Sequence, residues 1–216
     1  MDKIKETDVL KTGTTTVGLV CKDGIVLAAD RRATAGYLLA NKKTQKIFPI
    51  AENMAVTMAG TVSDAQLLVK LIKAEITLKG LRTGRAPNVK ESANLLGSMI
   101  YSNIRKFSTI PGVAHFLLGG TDMTGFHLYD LYADGSVTEE SEYLSSGSGS
   151  VMAFGVLETL YRNDLTVKEG VGLAVKCVNA AIQRDIASGN GIDIMTITKE
   201  GVKHVLAKEI DTTIKL

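Results

Sequence analysis

The sequence predicts an α+β fold, a four-layer αββα sandwich in which two antiparallel sheets lie between helix pairs. Strand-like runs rich in β-branched residues gather near the N-terminus, in the middle and near the C-terminus. Helix-length segments separate these groups in pairs, and short turns join neighbouring runs, which makes the strands antiparallel. At 216 residues with 45% hydrophobic content, the chain can bury one full core, and no linker or internal repeat divides it. A single domain is expected over residues 14–216, after a polar, aperiodic leader over residues 1–13.

In chain order, strands are predicted at Thr14–Cys21 and Gly24–Asp30, joined through Lys22-Asp23-Gly24. The segment from Arg31 to Asn41 shows no regular pattern. A second strand pair covers Lys46–Ile50 and Met54–Met58, and Ala59-Gly60-Thr61-Val62-Ser63-Asp64 breaks it and opens a helix near Ser63. That helix would place Leu67, Leu68, Leu71, Ile72 and Ile76 on its apolar face. A turn-rich connection from Gly80 to Pro87 leads to a second helix, Asn88–Lys106, with Leu95, Leu96, Met99 and Ile100 facing inward. Strands follow at Val113–Leu118, Gly125–Tyr132 and Ser136–Leu144, with Gly119-Gly120 and Asp134-Gly135 read as turns. Helices are expected at Val151–Tyr161 and Val167–Ala187, the latter ended by a glycine in Ser188-Gly189-Asn190-Gly191. Strands Ile192–Thr198 and Val202–Val205 close the domain.

Composition narrows the function. A net charge of +2 without a Lys/Arg block argues against nucleic acid as a partner. His115, His127 and His204 fall in no metal-ligand spacing, so no metal is expected. Two cysteines, Cys21 and Cys177, read as reduced apolar thiols of an intracellular protein. No apolar run reaches membrane-spanning length, and residues 1–6 lack the apolar core of a signal peptide. A cytoplasmic protein with no membrane contact is the expectation.

Several stretches could carry chemistry. A threonine hydroxyl is a weak nucleophile unless a base stands beside it. Cutting between Gly13 and Thr14 would give Thr14 a free α-amine, whose reference pKa of about 7.7–8.0 leaves a useful neutral fraction. That amine could serve the hydroxyl of its own residue. Asp30 ends the strand expected beside Thr14. Lys46 opens a strand farther on, where an ammonium could favour the alkoxide and a carboxylate could keep the ammonium charged. Gly60 precedes a helix N-terminus, a place for an oxyanion or a plain turn. Ser145–Ser150 fits a flexible loop, a phosphate cradle or a packed turn, although it lacks P-loop spacing and Gly-x-Ser-x-Gly. Asp185 and Ser188 stand at i and i+3, as a salt-bridge acid and a capping serine would.

Gly13-Thr14-Thr15-Thr16-Val17-Gly18, Ala29-Asp30-Arg31-Arg32-Ala33-Thr34, Met58-Ala59-Gly60 with Asp64-Ala65-Gln66, Gly147-Ser148-Gly149-Ser150 with Ala153-Phe154-Gly155-Val156-Leu157-Glu158, and Arg184-Asp185 with Ser188-Gly189 occur in that order. Together they resemble the β subunits of archaeal-type proteasomes, threonine peptidases of the N-terminal nucleophile hydrolase superfamily. The resemblance covers nearly the whole chain.

The resemblance implies that residues 1–13 are a propeptide removed by self-cleavage after Gly13, and that Thr14 is the nucleophile. It makes Asp30 and Lys46 the acid and the lysine that tune Thr14. Ser148, Asp185 and Ser188 become the polar group that orients its hydroxyl and amine, and Gly60 the oxyanion amide. Ala33, Thr34, Thr44, Met58 and Val62 would shape the first specificity pocket, whose Met58 floor should prefer apolar side chains. No cofactor is implied. The implied partners are other β subunits in heptameric rings, rings of α subunits, an ATP-dependent unfoldase and unfolded protein substrates. Two other readings remain at this point: a noncatalytic β-ring scaffold, or a different N-terminal nucleophile hydrolase acting on a small amide.

Overall fold

Strands β1 (Thr16–Cys21) and β2 (Gly24–Asp30) form the expected hairpin. The computed structural model, which describes residues 13–86 and 88–210, is arranged around this hairpin. The propeptide expected over residues 1–13 lies outside the described residues except for Gly13. All seven residues of β2 are buried, because both of its faces are covered. Val26 and Ala28 point into one apolar cluster, Ile25, Leu27 and Ala29 into another. Double burial gives an unbroken apolar run in place of alternation.

Two five-stranded antiparallel sheets make the central layers. The first has the order β10-β1-β2-β11-β12, where β10 is Tyr143–Ser146, β11 Gly191–Thr198 and β12 Gly201–Glu209. The second has the order β5-β6-β7-β8-β9, with β5 at Ile47–Ala51, β6 at Met54–Gly60, β7 at Ala114–Asp122, β8 at Gly125–Leu131 and β9 at Val137–Glu140. Helices α3 (Ser150–Leu160) and α4 (Val167–Arg184) cover the first sheet. Helices α1 (Val62–Thr83) and α2 (Val89–Ile104) cover the second. Ile25, Leu27, Leu117, Leu128 and Ile197 fill the space between the sheets. The αββα sandwich is as expected.

Several elements differ from the sequence-based expectation. Residues 33–41, which had no visible pattern, form a small hairpin of β3 (Ala33–Ala35) and β4 (Leu38–Asn41); β3 is half-buried and β4 exposed, so neither shows a burial alternation to read. Gly119 and Gly120 are not a turn but lie inside β7. A Cβ at Gly119 would press on Ile25 and Ile197 of the facing sheet, and one at Gly120 on Met54 and Val89, so close packing is what selects glycine there. The strand expected over Ser136–Leu144 is two strands, β9 and β10, which join different sheets.

Helix α1 continues through Gly80 to Thr83 and is capped by Gly84 in the left-handed conformation, φ 65°. Its buried stripe is Ala65, Leu68, Val69, Ile72 and Ile76, whereas Leu67 and Leu71 remain 52% and 46% exposed. Leu95 of α2 is also exposed, and this helix stops short of Lys106. A helix with leucines on two faces does not reveal by periodicity which face is covered. Helix α4 ends at Arg184, capped by Asp185 in an extended conformation and not by glycine. No helix among the described residues is long and apolar enough to cross a membrane.

Candidate active site

The β1–β2 hairpin delivers the first part of the site. Asp30 closes β2, and its N–H donates to the Thr15 carbonyl at 3.1 Å, so residues 14–15 lie alongside the Asp30 carboxylate. Strand β1 itself begins at Thr16, so Thr14 stands just ahead of the strand in which it was expected. Lys46 likewise immediately precedes β5; its carbonyl accepts from Met58 N–H at 2.9 Å, which fixes it against β6.

The fully buried Asp30 carboxylate accepts from five donors. Oδ1 receives the Thr14 hydroxyl at 3.1 Å, the Thr15 N–H at 2.9 Å and the Lys46 ammonium at 2.7 Å. Oδ2 receives the N–H groups of Arg32 and Gly189, each at 2.9 Å. This many donors hold the carboxylate in one orientation. Burial pushes the Lys46 ammonium below the ordinary lysine range, and Asp30 opposes that shift.

A second network orients the other side of Thr14. Its N–H donates to Ser148 Oγ at 3.2 Å, and Ser148 Oγ donates to Asp185 Oδ2 at 2.6 Å. Ser188 donates to the same Asp185 oxygen at 2.6 Å. The Thr15 and Ser188 hydroxyls are 2.6 Å apart. Ser188 has one proton, committed to the carboxylate, so Thr15 is the donor between them. Asp185 and Ser188 thus meet, although a loop after α4 places them and not one helix face.

Of the three readings of Ser145–Ser150, the packed turn is the one found. Gly147 adopts φ 92°, and a Cβ there would overlap the Thr14 carbonyl oxygen, so only glycine lets this loop close over the threonine. The Gly149 N–H then donates to that carbonyl at 3.3 Å.

In front of Thr14 lies an open, shallow pocket lined by Gly13, Thr14, Arg32, Ala33, Thr34, Thr44, Lys46, Met58, Ala59, Gly60 and Val62. All five residues expected to shape a specificity pocket, together with Gly60, therefore share one cavity with Thr14 and Lys46. The Thr34 hydroxyl is shielded from solvent and has no hydrogen-bond partner.

Sequence reasoning missed Thr15 and assigned no role to Arg32. The Arg32 guanidinium donates to Asn190 Oδ1 at 2.8 Å and to the Ile186 carbonyl at 2.7 Å, which ties the loop after α4 to the Asp30 end of β2. An arginine next to a strand-end aspartate was the available signal. The cysteines are no alternative nucleophiles: burial pushes both thiols up to about 12. Among the described residues, no group of three or more His, Cys, Asp or Glu could hold a metal ion.

The family model described as "Proteasome subunit" matches residues 10–197. A protein of Ferroglobus placidus named "Proteasome subunit beta" is 43% identical over 203 residues, 94% of this chain and 95% of its own. Proteins of the same name from Archaeoglobus profundus (45% identity, 94% and 93% coverage) and Methanococcus aeolicus (46%, 92% and 90%) are also similar. On these matches, the chain belongs to the proteasome subunit family.

Proposed function

We propose that this proteasome β subunit is a threonine endopeptidase that cleaves unfolded proteins with Thr14 as nucleophile, once residues 1–13 have been removed. One observation carries the reading. A single buried oxygen, Asp30 Oδ1, joins the Thr14 hydroxyl to the Lys46 ammonium. A structural ion pair would have no need of a hydroxyl that borders a pocket.

While Gly13 is attached, the Thr14 nitrogen is a peptide N–H and cannot act as a base. After cleavage it becomes an amine, already facing Ser148. The amine takes the Thr14 hydroxyl proton as the oxygen attacks a substrate carbonyl, and Lys46 stabilises the developing negative charge. Gly60 N–H is the donor offered to the tetrahedral oxyanion. The amine returns the proton to the departing nitrogen, leaving an ester on Thr14. Water, deprotonated by the same amine, hydrolyses that ester and restores the hydroxyl. Ala33, Thr34, Thr44, Met58 and Val62 bind the side chain that precedes the scissile bond.

The working form in this reading is a cytoplasmic particle in which β subunits form heptameric rings stacked with α-subunit rings and supplied by an ATP-dependent unfoldase. Intact-mass measurement of the chain after assembly with its α subunit, alongside a peptide-hydrolysis assay, tests the proposal. A chain beginning at Thr14 in active particles is expected. Retention of Met1 in active particles would overturn the mechanism, and retention without activity would favour a noncatalytic ring subunit.

A further inference from the structure

A second row of short contacts plays no part in the chemistry above. His115 of β7, Asp130 of β8 and Ser146 of β10 touch in sequence: Ser146 Oγ lies 2.6 Å from His115 Nδ1, and His115 Nε2 meets Asp130 Oδ1. Tyr132 packs edge-on against the imidazole, with ring centroids 4.9 Å apart. A carboxylate can only accept, so Nε2 carries the proton and, in the neutral ring, Nδ1 accepts from the Ser146 hydroxyl.

Serine, histidine and aspartate in this order have the connectivity of a hydrolase triad. Ser146, however, is 3% exposed and paired with Thr16 inside a sheet, so no substrate carbonyl reaches it. What matters is where its ends are anchored. Ser146 leads directly into Gly147 and Ser148, the loop that holds the Thr14 nitrogen and carbonyl. His115 lies opposite Ala59 in β6, next to the pairing of Ala114 with Gly60. The loop belongs to one sheet and Gly60 to the other, so the imidazole spans the two halves of the site.

We propose that His115 is a positioning residue that sets the spacing between the Thr14 nucleophile and the Gly60 amide, with Asp130 fixing its ring. The inference rests on the threonine-peptidase reading. Its consequence is selective. The attacking oxygen and the oxyanion donor must both be in register in the transition state, whereas substrate held by Ala33, Thr34 and Met58 does not sense that spacing. Losing the bridge should therefore lower kcat and spare KM.

The test measures kcat and KM for a small peptide in particles assembled from the full chain and its α subunit. His115→Ala should lower kcat about tenfold, because a misplacement on the order of 1 Å costs up to about 10²-fold, with KM changed less than about twofold. His115→Gln should recover most of the rate, since its amide can accept from Ser146 and donate to Asp130. Ser146→Ala cuts the same bridge with a minimal change of shape, and should show the same loss without rescue by His115→Gln. Unchanged kcat in His115→Ala, a loss confined to KM, or no recovery with Gln would overturn the inference. If His115→Ala does not assemble, Ser146→Ala decides alone, and normal kcat there overturns it. Thr14→Ala is run in parallel. An active Thr14→Ala particle would defeat the peptidase reading itself, whereas a dead one beside a normal His115→Ala would defeat only the role of His115.

Discussion

The Lys46 ammonium lies 2.7 Å from Asp30 Oδ1, and both side chains are almost wholly withdrawn from water. Removing either member leaves the other as a buried charge without its counter-ion, a loss of about 3–5 kcal/mol where measured for such pairs. Asp30→Asn should therefore lower thermal stability by roughly 10 °C, given about 2–4 °C per kcal/mol for a domain of this size. Lys46→Ala should abolish both peptide hydrolysis and leader removal. Calorimetry and a peptidase assay on the purified variants check both, and near-normal turnover in Lys46→Ala would take Lys46 out of the mechanism.

The pH profile of kcat should be bell-shaped. Its acid limb reports the Thr14 α-amine, which must be neutral to act as the base and whose reference range is about 7.7–8.0. The alkaline limb reports loss of the Lys46 charge, and burial starts that loss below the ordinary value of 10.5. For stability the sign is opposite. Between the lowered folded value and 10.5 the unfolded chain binds more protons, so the Lys46 contribution becomes more favourable as pH rises through that window. An activity plateau that extends past 10.5 would contradict the assignment.

Thr14→Ser keeps the oxygen and the amine and loses only a methyl group, whereas Thr14→Ala loses the oxygen. The Ser variant should retain peptide cleavage within several-fold, since a lost rotamer restraint costs on the order of 1 kcal/mol. The Ala variant should be inactive. Matched residual rates in assembled particles of both variants would reduce Thr14 to a structural residue.

Gly147→Ala should block maturation while leaving the sandwich folded. Its φ of 92° disfavours any side chain, and the added methyl would meet the Thr14 carbonyl that self-cleavage must keep in place. The uncut chain should be visible by mass, with a far-ultraviolet dichroism spectrum like that of the parent. Normal leader removal in this variant would mean that the loop does not hold Thr14.

The parts legible in the sequence were those with a local cause. The apolar run of β2, the Lys22-Asp23 turn and the order of strand and helix groups all follow from neighbouring residues. Gly119-Gly120 was misread because the reason for those glycines, the side chains of Ile25 and Ile197, lies far away in sequence. Strand β9 was fused with β10 because the change of sheet occurs at Ser141-Glu142, which carries neither proline nor glycine. In the site, motif likeness and not periodicity singled out Ser148, Asp185 and Ser188. Thr15 and Arg32 escaped because their roles exist only once the loop after α4 folds back onto Asp30.

The contact from Thr14 N to Ser148 Oγ is made while the bond to Gly13 is still whole. If Thr14 is the terminus of the proposed enzyme, it occupies its working position before it exists as a terminus. Under the proposed chemistry, maturation is a change of covalent state on a finished scaffold, with no search for a new conformation. Residues 14 and 15 are already held by Asp30, Ser148 and Ser188 in the uncut chain. On that proposal the folded precursor is a tool stored fully assembled, with the broken bond as a one-way safety catch.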